Sequence, residues 1–362
     1  MMQSTELDGV AKLKVIGVGG GGGNAVSRMF KERIPGVEYL VMNTDTQALV
    51  RNDVGITLRL GEKLTRGLGV GGDPERGRLA AEESRDDLID VLQGVDLVFI
   101  AAGMGGGTGT GAAPVVAEIA RELGALTIGV VTKPFGFEGR PRHLAAEKGA
   151  QELKEKVDTL IVIPNDRLFE MSDEDLTMEQ AYKLADDVLK QGVQSIAEII
   201  TTPGIINLDF ADVRAIMQNA GAAWMAIGRA KGEGRAVEAA REAINSPLLD
   251  SRIDGARGVL INVTGGTDLG IREVYEATEV VRAAVDPEAT IMFGQVTDAK
   301  MEDEIKITLV ATGFQANEAM DNEDIARLMS NDPYTSRVSD IEIPTFIRNG
   351  RRPQTLRNNR QG

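Results

Sequence analysis

Short apolar runs rich in Val, Ile and Leu recur along the first half of the chain, at 13–18, 38–42, 96–101, 126–131 and 159–163. Helical patterns separate them, at 24–33, 80–93, 112–123 and 142–156. Strands alternating with helices predict a parallel sheet covered on both faces. A long amphipathic helix follows at about 177–200. There Met178, Ala181, Tyr182, Ala185, Val188, Leu189, Ile196, Ile199 and Ile200 recur at three- and four-residue spacing, and Pro203-Gly204 closes the pattern. A second block, about 222–314, carries strands at 257–264, 290–296 and 305–312 around a helix at 271–284. Its last strand alternates Ile305, Ile307 and Leu309 with Lys306 and Thr308, as a half-buried strand does. From about 316 the pattern dissolves into polar residues, and only 337–362 regains character.

The expected architecture is α/β. A parallel-sheet, Rossmann-like domain spans 11–176 and a central helix 177–202. A loop and helix at 203–221 lead to a smaller α/β domain over 222–314, then a linker at 315–336 and a tail at 337–362. No internal repeat is present.

Composition narrows the functional classes. The 362 residues carry a net charge of −15, so the body of the chain is a poor generic partner for nucleic acid or an anionic membrane. The absence of Cys removes disulfides, thiolate catalysis and Cys-ligated metals. No apolar run approaches the ~20 residues of a membrane span, and Met1 to Glu6 does not read as a secretion signal. A cytoplasmic location is the default expectation.

Glycine makes up 42 residues, about 12% against a usual ~7%, and it concentrates in loops. The most informative stretch is Gly103-Met104-Gly105-Gly106-Gly107-Thr108-Gly109-Thr110-Gly111. It lies between an apolar strand pattern and Ala112-Ala113-Pro114-Val115-Val116, which reads as the first turn of a helix, with Pro114 where no N–H is missed. A glycine loop between strand and helix lets backbone N–H groups and the helix N-terminus approach an anion; Thr108 and Thr110 add hydroxyls. The chemistry served is phosphate binding. The loop has no Lys, so it is not the G-x-x-x-x-G-K-[ST] phosphate loop.

Two further glycine loops point the same way. Gly17-Val18-Gly19-Gly20-Gly21-Gly22-Gly23-Asn24 follows a strand and opens a helix, and Gly17, Gly19 and Gly22 satisfy G-x-G-x-x-G. Asp45 ends the next strand at about the spacing of a ribose-binding carboxylate, so a dinucleotide-dependent oxidoreductase is a serious alternative. Gly67-Leu68-Gly69-Val70-Gly71-Gly72 is the third loop, more than one dinucleotide site needs. Far downstream, Asp209 and Asp212 stand three apart. They read either as the cap and first-turn acid of a helix or as a carboxylate pair that orients a water or holds a cation for phosphoryl transfer. Spacing leaves both open.

These segments resemble the FtsZ family of bacterial tubulin-like cell-division GTPases. Gly105 to Gly111 matches the tubulin signature, and Gly19 to Ala25 and Gly67 to Gly72 match phosphate loops. Met42-Asn43-Thr44-Asp45, Pro134 to Arg140, Ile163 to Leu168 and Asn207 to Asp212 follow in the family's order. The resemblance covers about 11–314 and a short tail motif, and it implies the tubulin/FtsZ-like fold.

It further implies that GTP or GDP is held with Mg²⁺, with K⁺ as a candidate further ion and no metal site built by the protein alone. The nucleotide is expected to bind at Gly20, Gly21, Gly22 and Asn24, at Asn43 and Asp45, at Gly71 and Gly72, at Gly103, Gly105, Gly106, Gly107, Thr108, Gly109 and Thr110, and at Pro134, with the glycine loops around its phosphates. Glu138 and Arg142 match ribose contacts, Asn165 and Asp186 match guanine readers, and Tyr182 matches an aromatic over the base. Asn207, Asp209 and Asp212 are expected to complete the site of the next subunit in a head-to-tail homopolymer and to position the attacking water.

Asp340–Arg352 resembles the family's adaptor-binding peptide. It lies in a tail (336–362) with six Arg and two acids, so membrane contact is expected only through an adaptor and nucleic acid is not an expected partner. The linker is shorter than many in the family. Trp224 stands where the family has smaller residues and reads as packing, and His143, the sole His, reads as structural. A nucleotide-binding polymer with little hydrolysis is a further class to separate by turnover.

Overall fold

The computed structural model describes residues 11–171, 176–202, 206, 208–249 and 253–314. The chain opens with strand β1 (Leu13–Val18), helix α1 (Gly19–Glu32), β2 (Val37–Asn43), a short α2 (Thr46–Val50), β3 (Thr57–Arg59) and a short α3 (Glu62–Thr65). Then come α4 (Pro74–Glu83), α5 (Arg85–Leu92), β4 (Leu97–Gly103), α6 (Thr108–Glu122), β5 (Leu126–Lys133), α7 (Arg140–Lys156) and β6 (Thr159–Pro164). The long α8 (Met178–Thr201) and α9 (Phe210–Met217) lead to β7 (Gly221–Lys231), α10 (Arg235–Ile244), β8 (Gly258–Gly265), α11 (Ile271–Arg282), β9 (Thr290–Thr297) and β10 (Glu304–Thr312).

The strands of the described residues form one sheet in the order β3-β2-β1-β4-β5-β6-β7-β10-β8-β9. From β3 to β7 every pairing is parallel. β7 is shared: Gly221–Ala223 pair parallel with Thr159–Ile161 of β6, and Trp224–Lys231 pair antiparallel with β10. The sheet of the second block is therefore continuous with that of the first through β7, and the block is not merely tethered by the central helix.

Alternation explains the uninterrupted apolar runs. Leu97, Phe99 and Ala101 of β4 enter one core, with α1, α8 and α9, while Val98, Ile100 and Ala102 enter the other, with α4 to α7. Strands covered on both faces need apolar residues at every position. The buried stripe of α8 (Ala181, Ala185, Val188, Leu189, Val193, Ile196 and Ile199 among it) packs in the first core together with Met225, Leu260 and Val310 of the second block. A third core lies around α10 and α11.

Several boundaries differ from the sequence reading. α1 begins at Gly19, five residues earlier than expected, because its first turn is glycine and carries no apolar signal. The helix expected at 80–93 is two helices separated at Ser84, whose hydroxyl accepts from Gly61 N–H at 3.0 Å. α6 starts at Thr108, so Pro114 lies inside the helix rather than in its first turn. β7 and α10 are not visible in the apolar pattern: β7 is rich in Ala and Gly, and the buried face of α10 is Ala236, Ala239, Ala240 and Ala243. Pro203, Gly204 and the whole of 315–362, including the expected linker and tail, lie outside the described residues.

Helix α6 is locked against α4 by close backbone approach. A Cβ on Gly111 would stand 1.9 Å from the Pro74 carbonyl oxygen and 2.6 Å from the Arg78 nitrogen. Gly111→Ala is therefore expected to destabilise the protein by about 2–3 kcal/mol. Gly106→Ala, whose Cβ would meet nothing within 4 Å, should change stability by less than about 0.5 kcal/mol. Urea denaturation of the two variants checks this; an unchanged midpoint for Gly111→Ala contradicts the packing.

Candidate functional site

The carboxyl ends of β1, β2, β4, β5 and β6 lie along one edge of the parallel sheet, where ligands of open α/β sheets bind. The three glycine loops meet there. Cβ atoms built on Gly19 and Gly107 would stand 2.8 Å from the Gly109 nitrogen and 2.5 Å from Val70 Cγ2. The backbone of 67–69 is sewn to 44–46 by Thr46 N–H to Gly67 O (3.0 Å) and Gly69 N–H to Thr44 O (3.1 Å). Thr44 and Thr108 hydroxyls share a 2.7 Å hydrogen bond. Gly105 adopts φ +94°, and its Cβ would press on the Arg142 carbonyl at 2.8 Å, so the signature loop also abuts the start of α7.

Helix capping shows which donors are left for a ligand. Asp45, Asp73, Thr177 and Asp209 accept backbone N–H groups at the starts of α2, α4, α8 and α9. α1 and α6 have no side-chain cap, as is also true of α3, α5, α7 and α10. An α-helix leaves its first N–H groups without an internal partner, so α1 and α6 turn uncapped N-termini to the same edge, a ready anion site. Cβ atoms on Gly20, Gly71, Gly72 and Gly106 would meet nothing within 4 Å. Gly22 differs: it is buried, and its Cβ would lie 2.0 Å from the Ala101 carbonyl oxygen, which makes it a packing glycine that seats α1 on β4.

Two expected donors or acceptors have other work. The Thr110 hydroxyl is buried and accepts from Gly105 N–H at 2.9 Å, so it braces the loop instead of facing an anion. Asp45 lies beyond the end of β2, and its Oδ1 caps Gln47 and Ala48 at the start of α2; Asn43 Oδ1 in turn accepts from Asp45 N–H.

A second group lies between β6, α7 and α8. Glu138 accepts from Phe135 N–H (2.9 Å) and pairs with Arg142 Nη1 (2.5 Å), so the two expected ribose contacts hold one another. Tyr182, 40% exposed, meets Phe135 edge-on at 5.4 Å. Burial and then the neighbouring Glu138 carboxylate push its hydroxyl pKa up. Asn165 is buried, and its Oδ1 has no hydrogen-bond partner, an acceptor waiting for a donor. Asp186 pairs with Arg28 Nε at 3.2 Å, and burial raises its carboxyl to about 6 against the opposing pull of Arg28.

Sequence reading missed Arg28 and the aromatic group in which Phe137, Phe169 and Tyr182 surround Phe135. Arg28 had one available signal, its position one turn after Asn24 on the same helix face. The cavity of about 230 Å³ lined by Phe30, Ile34, Tyr39 and Ile56 is elsewhere, at the far end of α1 and the start of β2.

Asp209 and Asp212 are far from these groups. They follow the distal end of α8, whose 16 residues from Asp186 to Thr201 span ~22 Å. α9 is fastened at the edge where the strands begin: Arg214 donates to Gly124 O, Thr159 Oγ1 to Met217 O, and Asn219 N–H to Asp158 Oδ1. The pair forms a reciprocal capping box, Asp212 N–H to Asp209 Oδ1 (2.8 Å) and Asp209 N–H to Asp212 Oδ2 (3.2 Å). Both are half-buried or exposed. Asn207 lies outside the described residues.

Comparison with known proteins agrees with this geometry. Residues 12–173 match the model of the GTPase domain of the Tubulin/FtsZ family, and 221–315 match the C-terminal domain of the FtsZ family. An empty FtsZ dimer from M. jannaschii is 47% identical and superposes with a TM-score of 0.82, over 84% of this chain and 89% of that one. The chain belongs to the FtsZ family.

Two more distant structures share its fold. CetZ1 from Haloferax volcanii, described as a GDP-bound monomer, is 20% identical with a TM-score of 0.75 over 89% of this chain and all of its own. CetZ2 of the same organism, described as a GTPγS-bound protofilament, is 20% identical with a TM-score of 0.74 over 88% of this chain and 98% of its own. The strand order β3-β2-β1-β4-β5-β6 is also that of dinucleotide-binding sheets, so topology alone leaves the oxidoreductase reading standing; the GTPase family model disfavours it.

Thr110→Val leaves the Gly105 N–H without its acceptor, at a cost of about 1–3 kcal/mol, and is expected to lower both the urea midpoint and GDP affinity. Thr110→Ser keeps both. Calorimetric GDP titration checks the pair, and wild-type behaviour of the Val variant contradicts the brace.

Proposed function

We propose that this family GTPase assembles head to tail and hydrolyses GTP at the contact between subunits, so that each subunit holds the nucleotide and the next supplies Asn207, Asp209 and Asp212. The observation that carries the reading is the separation of Asp209 and Asp212 from the glycine loops by most of the length of α8. A carboxylate pair at the opposite edge of the sheet reaches a nucleotide only on a neighbouring molecule. The dimer described for the M. jannaschii relative supports self-association, and a head-to-tail contact that does not close builds filaments.

Within a subunit the uncapped N-termini of α1 and α6 and the open backbone at Gly20, Gly71, Gly72 and Gly106 receive the phosphates, with Asn24 and Asn43 beside them. Glu138 and Arg142 flank the ribose, Tyr182 covers the base, and Asn165 and Asp186 read guanine. The orphaned Asn165 Oδ1 and the carboxylate of Asp186 fit a base edge that donates N1–H and a 2-amino group. Mg²⁺ bound with the nucleotide supplies neutralisation of phosphate charge. Among the described residues no group of three or more His or acidic side chains is placed to hold an ion, and no residue is assigned to Mg²⁺ or to K⁺. Asp209 and Asp212 accept hydrogen bonds from the attacking water and hold it in line.

The chain acts at the division septum from the cytoplasm. No helix of the described residues is long and apolar enough to cross a membrane, and Asp340–Arg352, outside those residues, is the segment through which an adaptor tethers the polymer.

Asp212→Ala tests the role in trans. Phosphate release is expected to fall about 100-fold or more, while GDP affinity stays within twofold (about 0.4 kcal/mol); the Asp209 cap remains, and loss of the return bond from Asp209 N–H lowers stability by about 0.5–1 kcal/mol. Loss of GDP binding in that variant would place Asp212 in its own subunit's site and overturn the reading.

A further inference from the structure

Helices α1 and α8 run side by side in register. Arg28 pairs with Asp186 (3.2 Å), and one turn later Glu32 pairs with Lys190 (2.8 Å). Continued one turn toward the helix starts, the same 158-residue offset matches the position of Asn24 with that of Tyr182, two residues of the proposed nucleotide site. The Arg28–Asp186 rung is thus the one adjoining the base. It is asymmetric: the Asp186 side chain is 14% exposed and that of Arg28 37%, and the guanidinium Nε engages Oδ2. The bond approaches from the α1 side and leaves Oδ1 outside it.

Resting on the reading that places guanine between Asn165, Tyr182 and Asp186, we propose that Arg28 is a positioning residue for guanine selectivity: it keeps the Asp186 carboxylate ionised and aimed at the base edge. An ionised carboxylate accepts from N1–H and the 2-amino group together. A neutral carboxyl has one donor and cannot accept both in the same geometry. The charged groups acting on Asp186 are Arg28 from α1, which favours the ionised form, and Asp187 from α8, which opposes it, both against the larger effect of burial. Removal of Arg28 raises the Asp186 carboxyl further above about 6, so the neutral form extends into the neutral pH range.

The test is the ratio of GDP to IDP affinity, measured by calorimetry on the full chain from pH 5.5 to 8.5. IDP lacks the 2-amino group, and titration of the diphosphate is common to both ligands and cancels. Wild type is expected to prefer GDP at pH 8 and to lose that preference as pH falls through about 6. Arg28→Met is expected to show a preference about fivefold or more below wild type at pH 7, recovering toward pH 8.5. Arg28→Lys should retain the wild-type profile, and Asp186→Asn should give a low, flat one. Trp224 fluorescence reports that each variant is folded. An Arg28→Met profile that overlays wild type, or an equal loss of GDP and IDP at every pH, overturns the role of Arg28 and leaves the base site intact. A wild type without preference for GDP at any pH overturns the base site, and this proposal with it.

Discussion

The whole arrangement depends on how closely α1 is seated on β4. Gly22 sits so near the Ala101 carbonyl that a Cβ would stand 2.0 Å from it, and Gly17 is pressed on Gly22 in the same way, at 2.5 Å. This contact lets the uncapped start of α1 lie beside the uncapped start of α6, which leaves the sheet at the adjacent strand. Close packing of backbone on backbone is rigid, so the N–H groups are held where a phosphate needs them before any ligand arrives. Preorganised dipoles are what phosphoryl transfer asks of a protein. Glycine at these positions therefore does two things, packing at Gly17, Gly22 and Gly111 and open approach at Gly20, Gly71, Gly72 and Gly106.

Much of the fold was legible because the parallel sheet is buried on both faces, which writes each strand as an apolar run. Strands β1, β2, β4, β5 and β6 fell within two residues of their expected bounds. β7 escaped because Ala and Gly carry little strand signal, although it joins the two blocks of the sheet. The first turn of α1 escaped because glycine is a poor helix former and only tertiary packing on β4 makes it helical. The glycine loops were legible as phosphate chemistry, whereas the choice of guanine rested on family resemblance. No spacing shows that Asp186 is buried beside Arg28, since the two are 158 residues apart.

The Asp209–Asp212 pair shows why local reading left two answers standing. Both describe it. Within the subunit it is a capping box that starts α9, and its distance along α8 from the nucleotide loops is what makes a second role in a neighbouring subunit sterically available. A side chain that spends one acceptor on a helix N–H retains lone pairs for a water, so capping is compatible with the proposed role and would orient the carboxylates toward the next subunit's nucleotide. Under the proposed assembly, α8 is the spacer that sets the glycine-loop edge and the Asp209–Asp212 pair at opposite ends of one subunit.

The most direct test is phosphate release from GTP with Mg²⁺, per subunit, across a range of protein concentrations. A site completed between subunits predicts a rate near zero at low concentration that rises steeply above a threshold. A measurable rate per subunit that stays constant with dilution would mean that each subunit carries a complete site, and it would contradict the role of Asn207, Asp209 and Asp212 in trans.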